Sequence, residues 1–275
     1  MTVPTGAPTR PAVRVTVGQL EVVADHAVNR AVARDAFATA ERDDADVVVL
    51  PEYASGFDPH GVGVEHAEPL DGPFVDLLRA EAARTGIAVV AGVTLPGVSP
   101  VRASNVVVAV DGSGVIVGFY RKVHLYDAFG QRESDRLEPG PAEAEPLVID
   151  VAGLRFGVLT CYDLRFPEAA RRVVDAGAEV LVVPAAWAAG ELKALHWRSL
   201  AIARAIENTC AVVAVGQAGR GVIGRSLLVG PDGVVQLELD DGPTVVSVDV
   251  DAAAIARARE RNPSLANRRY TVVPR

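Results

Sequence analysis

The 275-residue chain is poor in several things at once, and each shortage removes a class of protein. It has two cysteines, Cys161 and Cys210, and no Cys-x-x-Cys pair, so neither a disulfide framework nor a thiolate metal site is expected. The amino terminus MTVPTGAPTRPAV lacks the apolar stretch of a secretory signal, which makes the expected compartment the cytoplasm. No apolar run reaches the roughly eighteen residues that a membrane helix needs. Positive charge is in deficit, the formal net charge being -8, and phosphate binding needs a basic surface, so no nucleic-acid partner is expected. The five histidines stand at no close spacing that would hold a metal, and no metal is expected. Lysine is the scarcest charge: of 27 lysines and arginines, all but Lys122 and Lys193 are arginine. A chain with this bias seldom places a lysine by accident. Lys122 is taken up below; Lys193 is read as a solvated surface charge.

What the chain does have is apolar bulk. Hydrophobic residues make up 49% of it, enough for a large core. Residues 1 to 11, rich in proline and threonine, are expected to be disordered, and residues 12 to 275 to form one domain. Val13 to Val17 alternates as a strand, and Asp25 is placed to cap a helix reaching Arg42, with Ala27, Val28, Ala31, Val32 and Phe37 on one face. Val47 to Leu50 is wholly apolar, the pattern of a strand buried on both faces. Pro73 opens a second helix that Gly86 closes. The polar stretch Asp127 to Pro146 has no periodicity, and long loops of that kind usually bind or cover something. A helix from Pro167 to Ala176, a strand at Val180 to Val183 and an amphipathic helix from Leu192 to Asn208, with Leu195, Ile202 and Ile206 apolar, follow. Ala45 to Glu52 (ADVVVLPE) echoes Ala178 to Ala185 (AEVLVVPA), and strand pairs flank turns at Gly112 and Gly233. Two similar αβ halves packed sheet to sheet with helices outside give a four-layer α-β-β-α sandwich.

Three residues stand just past predicted strands: Glu52 after Val47 to Leu50, Lys122 after Val115 to Tyr120, and Cys161 after Phe156 to Thr160. Strand ends are where α/β folds place their chemistry. A lone intracellular cysteine is most often a small buried hydrophobe. A nucleophilic one needs a base or cation beside it, because an unperturbed thiol is only a few per cent thiolate at neutral pH. If the three strand ends meet, Glu52 can take the thiol proton and Lys122 can stabilise a developing oxyanion. The competing reading is a buried ion pair beside an inert thiol.

The segments Pro51-Glu52-Tyr53, Tyr120-Arg121-Lys122-Val123-His124-Leu125 and Leu159 to Glu168 (LTCYDLRFPE) resemble, in order, the three signature motifs of the nitrilase superfamily of carbon-nitrogen hydrolases, over about residues 13 to 272. That resemblance implies the α-β-β-α sandwich, a Glu52-Lys122-Cys161 triad, a second glutamate at Glu133, and pairing into homodimers. It also implies hydrolysis of a small amide through a cysteine thioester, with an oxyanion held by Lys122 and the Tyr162 backbone amide and with no cofactor. N-carbamoyl hydrolysis and nitrile hydrolysis use the same triad, and a catalytically silent binding protein is the non-enzymatic alternative. The segments HLYDAFGQRESDRLEPG and His196-Trp197 with Ala203 to Asn208 resemble the branch of Nit-type ω-amidases and deaminated-glutathione amidases. The chain departs from that branch at Ala185 to Leu195 and at Gln217 to Ser226. Arg165, Arg132 and Arg225 are candidates for gripping a substrate carboxylate; His196 is read as structural, Trp197 as core, and Cys210 as a buried hydrophobe.

Overall fold

The computed structural model describes residues 12–275; the segment 1 to 11, expected to be disordered, lies outside them. The first half runs β1 (Ala12–Gln19), α1 (His26–Arg42), β2 (Val47–Val49), α2 (Pro73–Thr85), β3 (Ala88–Pro96), β4 (Ala103–Val110) and β5 (Ile116–Arg121). A short strand β6 (Val148–Val151) leads into the second half: β7 (Leu154–Val158), α3 (Pro167–Asp175), β8 (Val180–Ala185), α4 (Lys193–Asn208), β9 (Ala211–Gly216), β10 (Leu227–Val229) and β11 (Val235–Glu238). The chain then adds β12 (Thr244–Asp251) and α5 (Ala252–Arg261).

Two six-stranded sheets result, ordered β12-β1-β2-β3-β4-β5 and β11-β10-β9-β8-β7-β6. Each has three parallel strands in the middle, β1-β2-β3 and β7-β8-β9, flanked by antiparallel ones. The internal echo in the sequence is therefore an echo in topology. The antiparallel position that β6 fills beside β7 is filled beside β1 by β12, which the chain supplies only at its far end, in register from Ala12↔Asp251 to Gln19↔Thr244.

Alternation explains the layers. Val47 and Val49 join Val15, Val17, Phe156 and Val182 in a core between the sheets, while Val48 and Leu50 point the other way onto α1 and α2. A third cluster packs α3 and α4 on the outer face of the second sheet through Val173, Trp197, Ala201 and Ala205. The architecture is the expected α-β-β-α sandwich.

Helix faces were harder to read. Asp25 caps α1, its carboxylate accepting from the Ala27 and Val28 amides. The buried face, however, is Asn29, Ala33, Ala36, Phe37 and Ala40, and Ala27, Val28 and Ala31 face outward. The Asn29 side chain fixes this rotation by donating to the carbonyls of Val23 (2.7 Å) and Ser55 (3.0 Å). In α4 the inward residues include Lys193, Trp197, Arg204 and Asn208, whereas Leu195 and Ile206 are 57% and 48% exposed. Polar residues turn inward where they bond neighbouring chain, Asn29 to the Ser55 carbonyl and Arg204 to the Leu164 carbonyl, and the aromatic Phe37 and Trp197 fill the rest.

Candidate active site

β2, β5 and β7 all end on one edge of the sandwich, and each delivers a side chain. Glu52 sits in the turn after β2, where Tyr53 takes a left-handed φ of 57° and the backbone lies against Gly92; a Cβ there would stand 2.5 Å from the Glu52 Cα. Lys122 follows β5, with its amide donating to the Asn105 carbonyl (2.9 Å) and its carbonyl accepting from Gly140 (2.8 Å). Cys161 opens a 3-10 turn, Cys161–Arg165, at φ 46°. A positive φ at a β-carbon-bearing residue costs energy and persists where surrounding contacts enforce it.

Those contacts are explicit. Fully buried Asp163 accepts from the Thr160 amide (3.1 Å), Tyr120 hydroxyl (2.8 Å) and His124 amide (3.2 Å), and meets the His124 imidazole at 2.7 Å. The turn is thus tied to the segment that carries Lys122. From the other side, buried Arg204 of α4 donates to the Leu164 carbonyl (3.0 Å) and pairs with Glu207 (2.9 Å). His124, which lies in the same motif as Lys122, holds Asp163.

The three residues meet, and all are buried: Glu52 1%, Lys122 1% and Cys161 7% exposed. The Lys122 ammonium lies 2.9 Å from Glu52 Oε1 and 2.8 Å from the Glu133 carboxylate. Glu52 also accepts from the Asn105 amide group (2.7 Å) through Oε1, and from the Ala186 backbone N–H (2.6 Å) through Oε2, which bridges the two sheets. Glu133, in a 3-10 turn of the long polar loop, accepts in addition from the Tyr53 hydroxyl and the Tyr126 amide (2.6 Å). Asn105, Tyr53 and Ala186 were not singled out in the sequence. Tyr53 is part of the Pro51-Glu52-Tyr53 motif and Asn105 lies within a strand, but the Ala186 amide carries no side-chain signal at all.

Electrostatics follow from this packing. Burial by itself would pull the Lys122 ammonium down, but Glu133 and Glu52 reverse that and hold it well above the ordinary lysine value. Burial pushes the Cys161 thiol well up, Glu52 adds to the rise, and Lys122 opposes it. The resting group is a neutral thiol beside a carboxylate. Burial, and after it Glu133, keep the Tyr53 phenol well above its usual range, so it remains a donor to that carboxylate. Cys210 is buried with its Sγ 3.7 Å from the Arg204 carbonyl, and burial raises it to about 12.

A cavity of about 330 Å³ opens on Glu52, Lys122, Cys161 and Glu133. Arg165 lines it; Arg132 also does, but at its mouth and paired with Asp135 (3.6 Å). Arg225 does not line it: its guanidinium pairs with Asp241 (2.7 Å), and its carbonyl accepts from Trp197 (2.7 Å). Lys193 overturns the surface reading. It is 6% exposed and lines the same cavity, its Nζ 2.5 Å from the Tyr126 hydroxyl and 3.5 Å from the Phe129 ring centroid. The shortage of lysine that singled out Lys122 applied equally to Lys193. His196 meets Arg165 at 3.4 Å, and Trp197 is buried in the core under α4. Among the described residues no group of histidine, cysteine and carboxylate side chains could hold a metal ion, and no helix is long and apolar enough to cross a membrane.

The carbon-nitrogen hydrolase profile matches residues 14–260. A deaminated glutathione amidase of Escherichia coli O157:H7 is 38% identical over 258 residues, covering 93% of this chain and 97% of that protein. Among solved structures, Saccharomyces cerevisiae Nit3, a nitrilase-superfamily member, superposes with a TM-score of 0.81 at 26% identity, covering 95% of this chain and 98% of that one. An amidase from Nesterenkonia sp. AN1, captured after Michael addition of acrylamide at its active-site cysteine, superposes with a TM-score of 0.76 at 27% identity, covering 93% and 98%. With the sandwich, the buried Glu52, Lys122 and Cys161 and these matches together, the chain belongs to the carbon-nitrogen hydrolase family, in the nitrilase superfamily, and is an enzyme of that family.

Proposed function

We propose that the protein hydrolyses a small non-peptide amide through a Cys161 thioester, and that the substrate is of the deaminated-glutathione or ω-amide type. The observation that carries the chemistry is the shared burial of a thiol, a carboxylate and an ammonium, with Glu52 and Lys122 2.9 Å apart. The 38% identity to a deaminated glutathione amidase supports the substrate type. In the first half-reaction Glu52 takes the Cys161 proton as sulfur bonds to the amide carbon. The carbonyl electron pair moves onto oxygen, beside the Lys122 ammonium and the Tyr162 backbone N–H, which donates to no protein acceptor among the described residues. Collapse breaks the C–N bond, and Glu52 returns the proton to the departing nitrogen, which leaves as ammonia or an amine. In the second half, water gives a proton to Glu52, adds to the thioester carbon and expels the thiolate, which recovers the proton; the carboxylic acid leaves. A resting thiol suits this order, since the base removes the proton as the bond forms and no free thiolate waits in the site. Glu133 holds Lys122 in place. Pairing into homodimers is part of the same reading, supported by the outward apolar Leu195 and Ile206 of α4.

The test is nitrogen release from a panel of ω-amides, deaminated glutathione, carbamoyl amino acids and nitriles, with intact-protein mass measured during turnover. Amide hydrolysis with a transient acyl adduct on Cys161 is expected. Carbon dioxide with ammonia would make the enzyme a carbamoylase; nitrile turnover would make it a nitrilase; no adduct under any condition would overturn the thioester.

A further inference from the structure

Two cations, Lys193 and Arg165, share one wall of the cavity, and neither has a carboxylate partner among the described residues. Lys193 is held instead by aromatic faces: Phe129 at 3.5 Å and Tyr126 at 4.9 Å from its Nζ, with the Tyr126 hydroxyl its hydrogen-bond partner. The Arg165 guanidinium lies 4.8 Å from the Trp187 ring centroid and 5.4 Å from that of Phe129, so one exposed phenylalanine touches both charges. Arg165 Nε is buried with no hydrogen-bond partner. Burial, and then the repulsion of Arg165, lower the Lys193 ammonium from its ordinary value. A buried ammonium that faces a half-buried guanidinium without an anion between them is costly, because buried charges are normally paired. Cation-π contacts offset part of that cost, and the 3.4 Å contact of Arg165 to His196 Nδ1 leaves its Nε still without an acceptor.

A ligand anion completes the arrangement. We propose that Lys193 and Arg165 together seat a carboxylate on the acyl part of the substrate, with Lys193 setting the preference for acidic over neutral amides. This rests on the amidase reading above and adds to it a residue and a charge requirement. The acyl part is indicated by depth: Lys193 is 6% exposed, while the cations at the mouth, Arg132 and Arg136, are solvated and already paired with Asp135 and Glu65. The nitrogen leaves first, and what this deeper pair of cations holds is the half that stays on sulfur. Lys193 reaches this place from the first turn of α4. Leu192 precedes it at a left-handed φ of 60°, and Trp187 donates to the Lys193 carbonyl (3.0 Å).

The measurement compares kcat/KM for two primary amides of equal length, 4-carbamoylbutanoate and pentanamide, in the wild type and in Lys193→Met, which keeps the apolar stem. The wild type should prefer the acid amide by on the order of thirtyfold or more, the scale of a hydrogen bond to a charged group. Lys193→Met should bring the ratio close to one by costing the acid amide far more than pentanamide, and glutarate should weaken in parallel as a competitive inhibitor. If the Met variant melts early, Lys193→Gln carries the same expectation. A wild type that turns over both amides equally, or a variant in which both substrates fall together, overturns the carboxylate seat and leaves the amidase standing. A wild type that hydrolyses no amide of any charge overturns the amidase reading itself.

Discussion

Replacing Lys122 by arginine separates a charge from its shape. The ammonium is 1% exposed and bridges two carboxylates, 2.9 Å from Glu52 and 2.8 Å from Glu133. Arginine keeps the positive charge those carboxylates need, so the variant avoids the roughly 3–5 kcal/mol penalty of leaving one member of a buried pair uncompensated. It adds volume to a filled site, which costs about 1–3 kcal/mol and should lower the melting temperature without unfolding the protein. Its planar fork also binds a carboxylate side-on, so it would lock onto Glu52 or Glu133 and no longer present a compact donor to the oxyanion. Losing that donor is worth on the order of 3 kcal/mol, or more than a hundredfold in kcat. The assay is steady-state ammonia release on the preferred amide, with circular dichroism and a melting curve on the same samples. Lys122→Met is the comparison, and it should lose both activity and several degrees of stability. Lys122→Arg within a few-fold of wild-type kcat would refute the reasoning: a generic charge would then suffice, and the role given to the ammonium would fall.

Glu133→Gln keeps a hydrogen-bonding side chain facing Tyr53 and Tyr126 but drops the charge beside Lys122; it should fold, lose most turnover and leave Cys161 open to iodoacetamide, and a wild-type kcat would return Glu133 to an ordinary loop residue. In the native enzyme iodoacetamide should modify Cys161, which faces the cavity beside Glu52, and not Cys210, which should react only on unfolding; equal labelling would contradict the contrast between a cavity-facing thiol and an enclosed one. Cys210 also gives a pH signature. Its folded value of about 12 stands above the ordinary 9.0, so the unfolded chain loses that proton first, and stability falls as pH rises from about 9 toward 12, by up to about 1.4 kcal/mol per unit. Below pH 8 the group contributes no slope. Cys210→Ala should therefore melt with a flatter alkaline profile than wild type, and parallel profiles would show that the thiol is not buried as described.

Much of this protein is local, and local features are legible in a sequence. Val47 to Leu50 declares a strand buried on both sides because no other environment suits four consecutive apolar β-formers, and Asp25, Pro73 and Gly86 mark helix ends through backbone chemistry that needs no neighbours. Glu52, Lys122 and Cys161 were readable for the same reason: each follows a strand directly, and the motif around each is a turn encoded by adjacent residues. Tertiary structure decided what depends on distant chain. The pairing of β12 with β1 joins residues more than two hundred positions apart, and nothing in either strand names the other. Asn105, Tyr53 and the Ala186 amide became part of the site only when two sheets brought them to Glu52 and Glu133. Lys193 shows the limit most clearly. A lysine at the start of an amphipathic helix belongs in water by every local rule, and it is buried here because Tyr126 and Phe129 from one loop meet it, with Arg165 from the Cys161 turn alongside. Whether a charge is solvated or caged is set by the groups that surround it in space, and a sequence records only those that surround it along the chain.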